Sequence, residues 1–302
     1  MLRTVLACFA LLISLQIKSQ RPEASVGRLE HIEAFASEYV DSRNIDVWLP
    51  EGYNPKTEHY AVLYMHDGQN LFDSAFSYGG NEWQVDETLG RLLASANVRS
   101  CIVVGIWNTP KRFLEYAPRQ PFDLMTGVSQ DETRADRQYG GMPLSDDYLK
   151  FIVRELKPYI DKKYATLTGP ESTFIAGSSM GGLISLYALA EYPGVFGGAA
   201  CLSTHWPLRL QANNQAFTSA MIRYLAPKLD KITGKIVYFD FGTETLDSWY
   251  EPHQLRIDSL FREKSYHDEN LMSKKFEGDA HNEVSWAKRL HIPLKFLLKE
   301  NQ

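Results

Sequence analysis

Gly177-Ser178-Ser179-Met180-Gly181 sets a serine at the centre of a short segment flanked by glycines. The run before it, Ser172-Thr173-Phe174-Ile175-Ala176, is short, apolar and partly β-branched, as a buried strand would be. The run after it, with Leu183, Leu186, Tyr187 and Leu189, repeats its apolar residues at helical spacing. A serine on such a strand–turn–helix corner is lifted clear of the sheet. The helix N-terminus behind it offers free N–H groups and a positive dipole end to a developing oxyanion. Ser179 is therefore the candidate nucleophile. The pattern alone recurs by chance in roughly one chain in ten of this length, so its partners decide the matter.

A serine hydroxyl needs an adjacent base to take its proton and a carboxylate to orient that base. Behind a corner of this kind they follow in the order serine, acid, histidine. The order is present here. Gly242-Thr243-Glu244-Thr245-Leu246-Asp247 follows an apolar strand, and Gly278-Asp279-Ala280-His281-Asn282-Glu283 joins a last strand to the final helix. His281 is the candidate base. Asp247 is the preferred acid, with Glu244 as the alternative. His66 and His205 also follow strands, but precede the position that chain order requires. The oxyanion needs two backbone donors. These are expected from Met180, after the nucleophile, and from Gln69 in His66-Asp67-Gly68-Gln69. Trp107 and Trp206 are candidate substrate-binding rings, and Trp83 and Trp249 also lie near strand ends.

The elements that would carry these residues alternate. Strands are expected at 44–49, 60–65, 102–107, 173–176, 198–202, 236–241 and 273–276. Helices are expected at 85–95, 145–163, 182–192, 215–226, 252–265 and 283–298. This alternation implies an α/β fold, with a mostly parallel central sheet covered by helices on both faces. The two earliest strands are expected as antiparallel additions. Every chemical candidate then follows a strand, where such sheets bind ligands. The segment 117–144 shows no periodicity and is expected to be a loop or partial cap over the site.

The chain has 302 residues, 44% hydrophobic and 23% charged, with a formal net charge of −5. With no basic run, nucleic acid is excluded as an expected partner. Arg3 followed by the apolar stretch Val5–Ile17 reads as a signal peptide over 1–20, which leaves 21–302 as one domain and no stable membrane span after cleavage. A periplasmic or secreted location follows. Cys101 and Cys201 sit in apolar runs and are expected as buried thiols. No spacing suggests a metal site, and no cofactor is expected. Oligomeric state is not encoded in any pattern.

Taken together, His66-Asp67-Gly68-Gln69-Asn70-Leu71-Phe72-Asp73, Arg112-x-x-Glu115-Tyr116-x-Pro118, the Gly177–Gly182 segment and His281-Asn282-Glu283-x-x-Trp286 resemble the Putative esterase family of α/β-hydrolases. That family includes feruloyl and acetylxylan esterases, S-formylglutathione hydrolases, siderophore esterases and mycolyltransferases. The resemblance spans about residues 40–298. It implies a serine esterase acting on acyl groups of carbohydrate (acetyl or feruloyl) or on a siderophore ester, with Ser179 as nucleophile, His281 as base and the Gln69 and Met180 amides on the oxyanion. The family position for the acid corresponds to Thr245, which cannot serve, so the resemblance points to the neighbouring Asp247. An acyltransferase, or a non-catalytic carbohydrate- or protein-binding module on the same fold, are the alternatives.

Overall fold

The computed structural model describes residues 21–125 and 140–299. The segment read as a signal peptide therefore lies outside the described residues, as does the middle of 117–144. Eight strands form one sheet: β1 (Arg28–Phe35), β2 (Arg43–Leu49), β3 (Ala61–His66), β4 (Cys101–Ile106), β5 (Thr173–Ser178), β6 (Gly198–Leu202), β7 (Ile236–Gly242) and β8 (Leu271–Phe276). Their order is β1-β2-β4-β3-β5-β6-β7-β8.

Only β2 runs against the others, pairing antiparallel with both β1 and β4. This corrects the expectation for the second early strand. β3 lies parallel between β4 and β5, with all six residues buried. A strand covered on both faces reads as a continuous apolar run, which Ala61-Val62-Leu63-Tyr64-Met65 is. The unexpected strand is β1, at the edge, whose charged and bulged sequence hides its alternation: its register breaks between Ile32 and Phe35.

Side chains alternate between two cores, as strand geometry requires. Val62, Tyr64, Ile102, Val104 and Ile175 pack on one face with Tyr148, Leu183 and Leu186. Leu63, Met65, Val103 and Phe174 pack on the other with Leu89, Trp286 and Leu294. The helix Met180–Glu191 buries all but the last of its twelve residues, so it has no polar stripe.

Two expected helices are interrupted, each by a proline. The stretch Ser145–Lys163 is helical but wound as a π-helix over Ile152–Leu156. Pro158 lacks an N–H and its ring would strike the carbonyl of Arg154, which the wider turns relieve. The last helix divides into Glu283–Arg289 and His291–Leu297, where Pro293 faces the carbonyl of Arg289 in the same way. Cys101 and Cys201 are buried free thiols. Among the described residues no helix is long and apolar enough to cross a membrane.

Candidate active site

Ser179 stands between β5 and the helix Met180–Glu191 at φ 58°, ψ −121°. That is a costly conformation for a non-glycine residue and persists only where the surroundings over-determine it. They do so here. Its N–H donates to the Leu202 carbonyl at 2.9 Å, and its own carbonyl accepts from the Gly182 and His205 N–H groups, each at 3.1 Å. The close approach also explains the first glycine: a Cβ on Gly177 would fall 2.9 Å from the Gly181 carbonyl carbon.

The two loops beyond β7 and β8 bring a carboxylate to a histidine. His281 Nδ1 lies 2.5 Å from Asp247 Oδ1. The other carboxylate oxygen, Oδ2, accepts from the Gly242 N–H and the Ser203 hydroxyl, both at 2.6 Å. With its remaining oxygen so engaged, Asp247 orients Nδ1–H toward itself and leaves Nε2 free. The rings of Tyr250 and Trp286 meet the imidazole edge-on, with centroids at 5.7 and 5.0 Å. The alternative acid is not in place: Glu244 is exposed, and it is its main chain that joins the loops, its N–H donating to the Asp279 carbonyl at 3.0 Å. At the position where a family acid was expected, Thr245 Oγ1 accepts the His281 N–H at 2.9 Å. The residue there seats the histidine's backbone instead of its ring.

Ser179 and His281 line one cavity of about 560 Å³, together with Asp67, Gln69, Asn108, Arg112, Glu283 and Trp286. Met180 and Gln69 both occupy first-turn positions of helical segments, whose N–H groups lack an intrahelical acceptor. The tryptophan expectations fare differently. Trp206 is fully buried, packs on Phe239 and donates its indole N–H to Gln254 Oε1 at 3.0 Å, so it belongs to the core rather than to a ligand surface. Trp107 is half-buried against His31 and Phe76 and does not line the cavity. Trp83 is buried behind Trp286, and Trp249 packs against the core. Of the described tryptophans, Trp286 is the one that lines the cavity, and the exposed Tyr78 lines it too. None of the described residues of 117–144 lines it.

The charged groups of the cavity had no role assigned from sequence. Arg112 grips Asp67 bidentately, Nε to Oδ1 at 2.6 Å and Nη2 to Oδ2 at 2.8 Å, and Asn108 Nδ2 donates to Oδ1 at 2.6 Å. Burial alone would raise the Asp67 carboxyl, but the Arg112 charge and the hydrogen bonds from Arg112 and Asn108 together outweigh it and the net shift is downward. Burial, reinforced by the Asp67 charge, raises the carboxyl of Glu283. Asp67 directly follows β3, a strand-end signal that was spent on its neighbours. His66 and His205 flank the elbow but are buried, with Nδ1 on the Tyr148 and Tyr250 hydroxyls at 2.8 and 2.7 Å. Burial pushes both down to about 3, so they stay neutral and take no proton from a serine. Among the described residues no group of three or more histidines, cysteines or carboxylates could hold a metal ion.

The family model described as Putative esterase matches residues 37–292. The Uncharacterized protein YbbA of Bacillus subtilis (strain 168) is 23% identical over 268 residues, 86% of this chain and 94% of that protein. A ferulic acid esterase superposes with a TM-score of 0.61 at 19% identity, covering 90% of this chain and 98% of its own. The enterobactin esterase FES from Shigella flexneri does so with 0.63 at 18%, covering 91% of this chain and 60% of that one. An eight-stranded, mostly parallel sheet with a serine elbow behind its central strand agrees with both folds. The chain belongs to the Putative esterase family and is a carboxylic ester hydrolase on an α/β-hydrolase fold.

Proposed function

We propose that the protein is an exported serine esterase working through Ser179, His281 and Asp247. The observation that carries this reading is the Asp247–His281 pair at 2.5 Å, opening on the same cavity as a strained Ser179. His281 Nε2 takes the hydroxyl proton as Ser179 Oγ attacks the ester carbonyl, and the Gln69 and Met180 amides hold the oxyanion. The imidazolium is stabilised by Asp247 and then protonates the departing alcohol. Water, activated by the same imidazole, attacks the acyl-enzyme, returns the proton to Oγ and releases the acid. Turnover accordingly falls on the acid side, where an imidazolium cannot accept the serine proton.

The substrate is an acyl group, acetyl or feruloyl, on carbohydrate, or a siderophore ester. The named functions of the structural neighbours support both classes, and the mixed polar and aromatic lining of the cavity suits either. The apolar stretch Val5–Ile17 supports export, which favours such exogenous esters. A serine-reactive fluorophosphonate labels the parent protein and spares Ser179→Ala, and the same variant loses p-nitrophenyl acetate turnover by about 10³-fold or more. Near-normal turnover by Ser179→Ala refutes the reading. A panel of acetylated and feruloylated xylan oligomers and a tricatechol siderophore then ranks the substrates.

A further inference from the structure

Behind the acid lies a buried hydroxyl whose proton has one place to go. Ser203 follows β6 directly, is fully buried, and holds a left-handed φ of 41°. Its N–H is fixed by the Asp240 carbonyl at 2.9 Å. Its Oγ has three polar neighbours: Asp247 Oδ2 at 2.6 Å, Arg289 Nη2 at 2.8 Å and Trp286 Nε1 at 2.9 Å. A guanidinium and an indole can only donate, whereas a hydroxyl has one proton and two lone pairs. Both lone pairs are therefore taken, and the proton can go only to the carboxylate. The Arg289 charge polarises that O–H further. Arg289 is itself held by Asp240, Nε to Oδ2 at 3.1 Å and Nη2 to Oδ1 at 3.0 Å, and by Asp279 at 3.1 Å. Its nearest approach to Asp247 is 3.9 Å, too long for a hydrogen bond, so its hydrogen-bonded link to the acid runs through the serine.

We propose that Ser203 is a positioning residue for the Asp247–His281 pair, a one-way donor locked by Trp286 and Arg289 that holds Asp247 Oδ2 and so reserves Oδ1 for the imidazole. The inference rests on the triad reading above and adds to it an obligate fourth member. A carboxylate with one donor fewer is more basic and stabilises imidazolium more strongly. The other titratable groups around the pair are Asp240, Asp279 and Arg289 behind Asp247, and Tyr250, His205 and Glu283 around His281.

The test is the pH profile of kcat/KM for p-nitrophenyl acetate with Ser203→Ala. The acid limb moves to higher pH by about half a unit or more, and kcat falls about tenfold or more while KM changes less. The far-downfield proton resonance of the His281 Nδ1–H shifts in the same variant. A role in folding alone lowers the active fraction without moving either. If the acid limb and the resonance of Ser203→Ala superimpose on those of the parent, the proposal is overturned. Should Ser203→Ala not fold, Trp286→Phe keeps the ring and removes one locking donor. Its acid limb moves in the same direction by a smaller amount, and an unmoved limb is equally fatal. Ser179→Ala separates the two levels: if it is inert while Ser203→Ala leaves the profile unchanged, the triad stands and the locked donor falls. If Ser179→Ala retains turnover, the triad itself is wrong.

Discussion

Two histidine–aspartate neighbourhoods border the elbow, and they have opposite chemistry. At the end of β3, His66 and Asp67 are adjacent in sequence, but Asp67 is neutralised bidentately by Arg112 and His66 is sealed against Tyr148. Beyond β7 and β8, Asp247 and His281 are 34 residues apart, yet they share a 2.5 Å hydrogen bond. Their nearest cation stands behind a serine, and the donors on the carboxylate are neutral. On the proposed reading, a histidine can serve as a base where no cation hydrogen-bonds its carboxylate and its second nitrogen meets a cavity. Proximity in sequence is neither required nor sufficient.

The largest expected effect that separates the two is on turnover. Asp247→Asn lowers kcat by about 10⁴-fold through loss of the imidazole's orientation and tautomer. Asp67→Asn lowers kcat/KM by less than about tenfold and leaves the acid limb in place. Equal losses in steady-state assays of the two variants would erase the distinction. Next comes stability. Behind Arg112 a second pair, Arg43–Glu115, lies at 2.7 Å with both side chains 1% exposed. Glu115→Gln leaves a buried guanidinium without its counter-charge and costs about 3–5 kcal/mol in denaturant unfolding. A loss below about 1 kcal/mol, the range of surface pairs, would show that this side of the elbow is not held by its ions.

A further effect is linked to pH. Burial holds His66 and His205 down to about 3, against an ordinary value of 6.5. Above that ordinary value both the folded and the unfolded chain are neutral there, and the sites contribute no pH dependence. As pH falls through it, the unfolded chain binds the protons and the folded one does not. Stability therefore drops by about 1.4 kcal/mol per pH unit for each histidine until the folded sites titrate. Urea midpoints measured between pH 7 and 5 would fall about half as steeply if one ring were solvated instead of sealed, and these two sites would add no slope if both were.

The elbow was readable in the sequence because its requirements are local. A strand, a turn with small residues and a helix follow one another, and φ at Ser179 is the only surprise. That Asp247 and His281 lie beyond strand ends was legible for the same reason, and the structure brings those two side chains together. The antiparallel partner of β2 was not, because β1 is an edge strand with charged residues and a bulge, and pairing is a long-range property. Trp206 shows the limit for aromatics. Its place after β6 matched that of a ligand platform, but whether a ring faces a cavity or a core depends on what covers it. Ser203 and Arg289 were invisible as site residues, since a serine after a strand and an arginine on a helix acquire meaning only when they meet.

The main-chain stitch between the two distal loops has one more consequence. The Asp279 carbonyl accepts from both the Thr243 and Glu244 N–H groups at 3.0 Å, and a Cβ on Gly242 would come within 2.1 Å of that oxygen. The histidine's seat is thus sewn down by backbone atoms as well as by the hydroxyls of Thr243 and Thr245, which accept the Gly278 and His281 N–H groups. With the two loops fastened at residues 242–245, the carboxylate that meets the ring can stand two places further on, at Asp247, while the ring keeps its address.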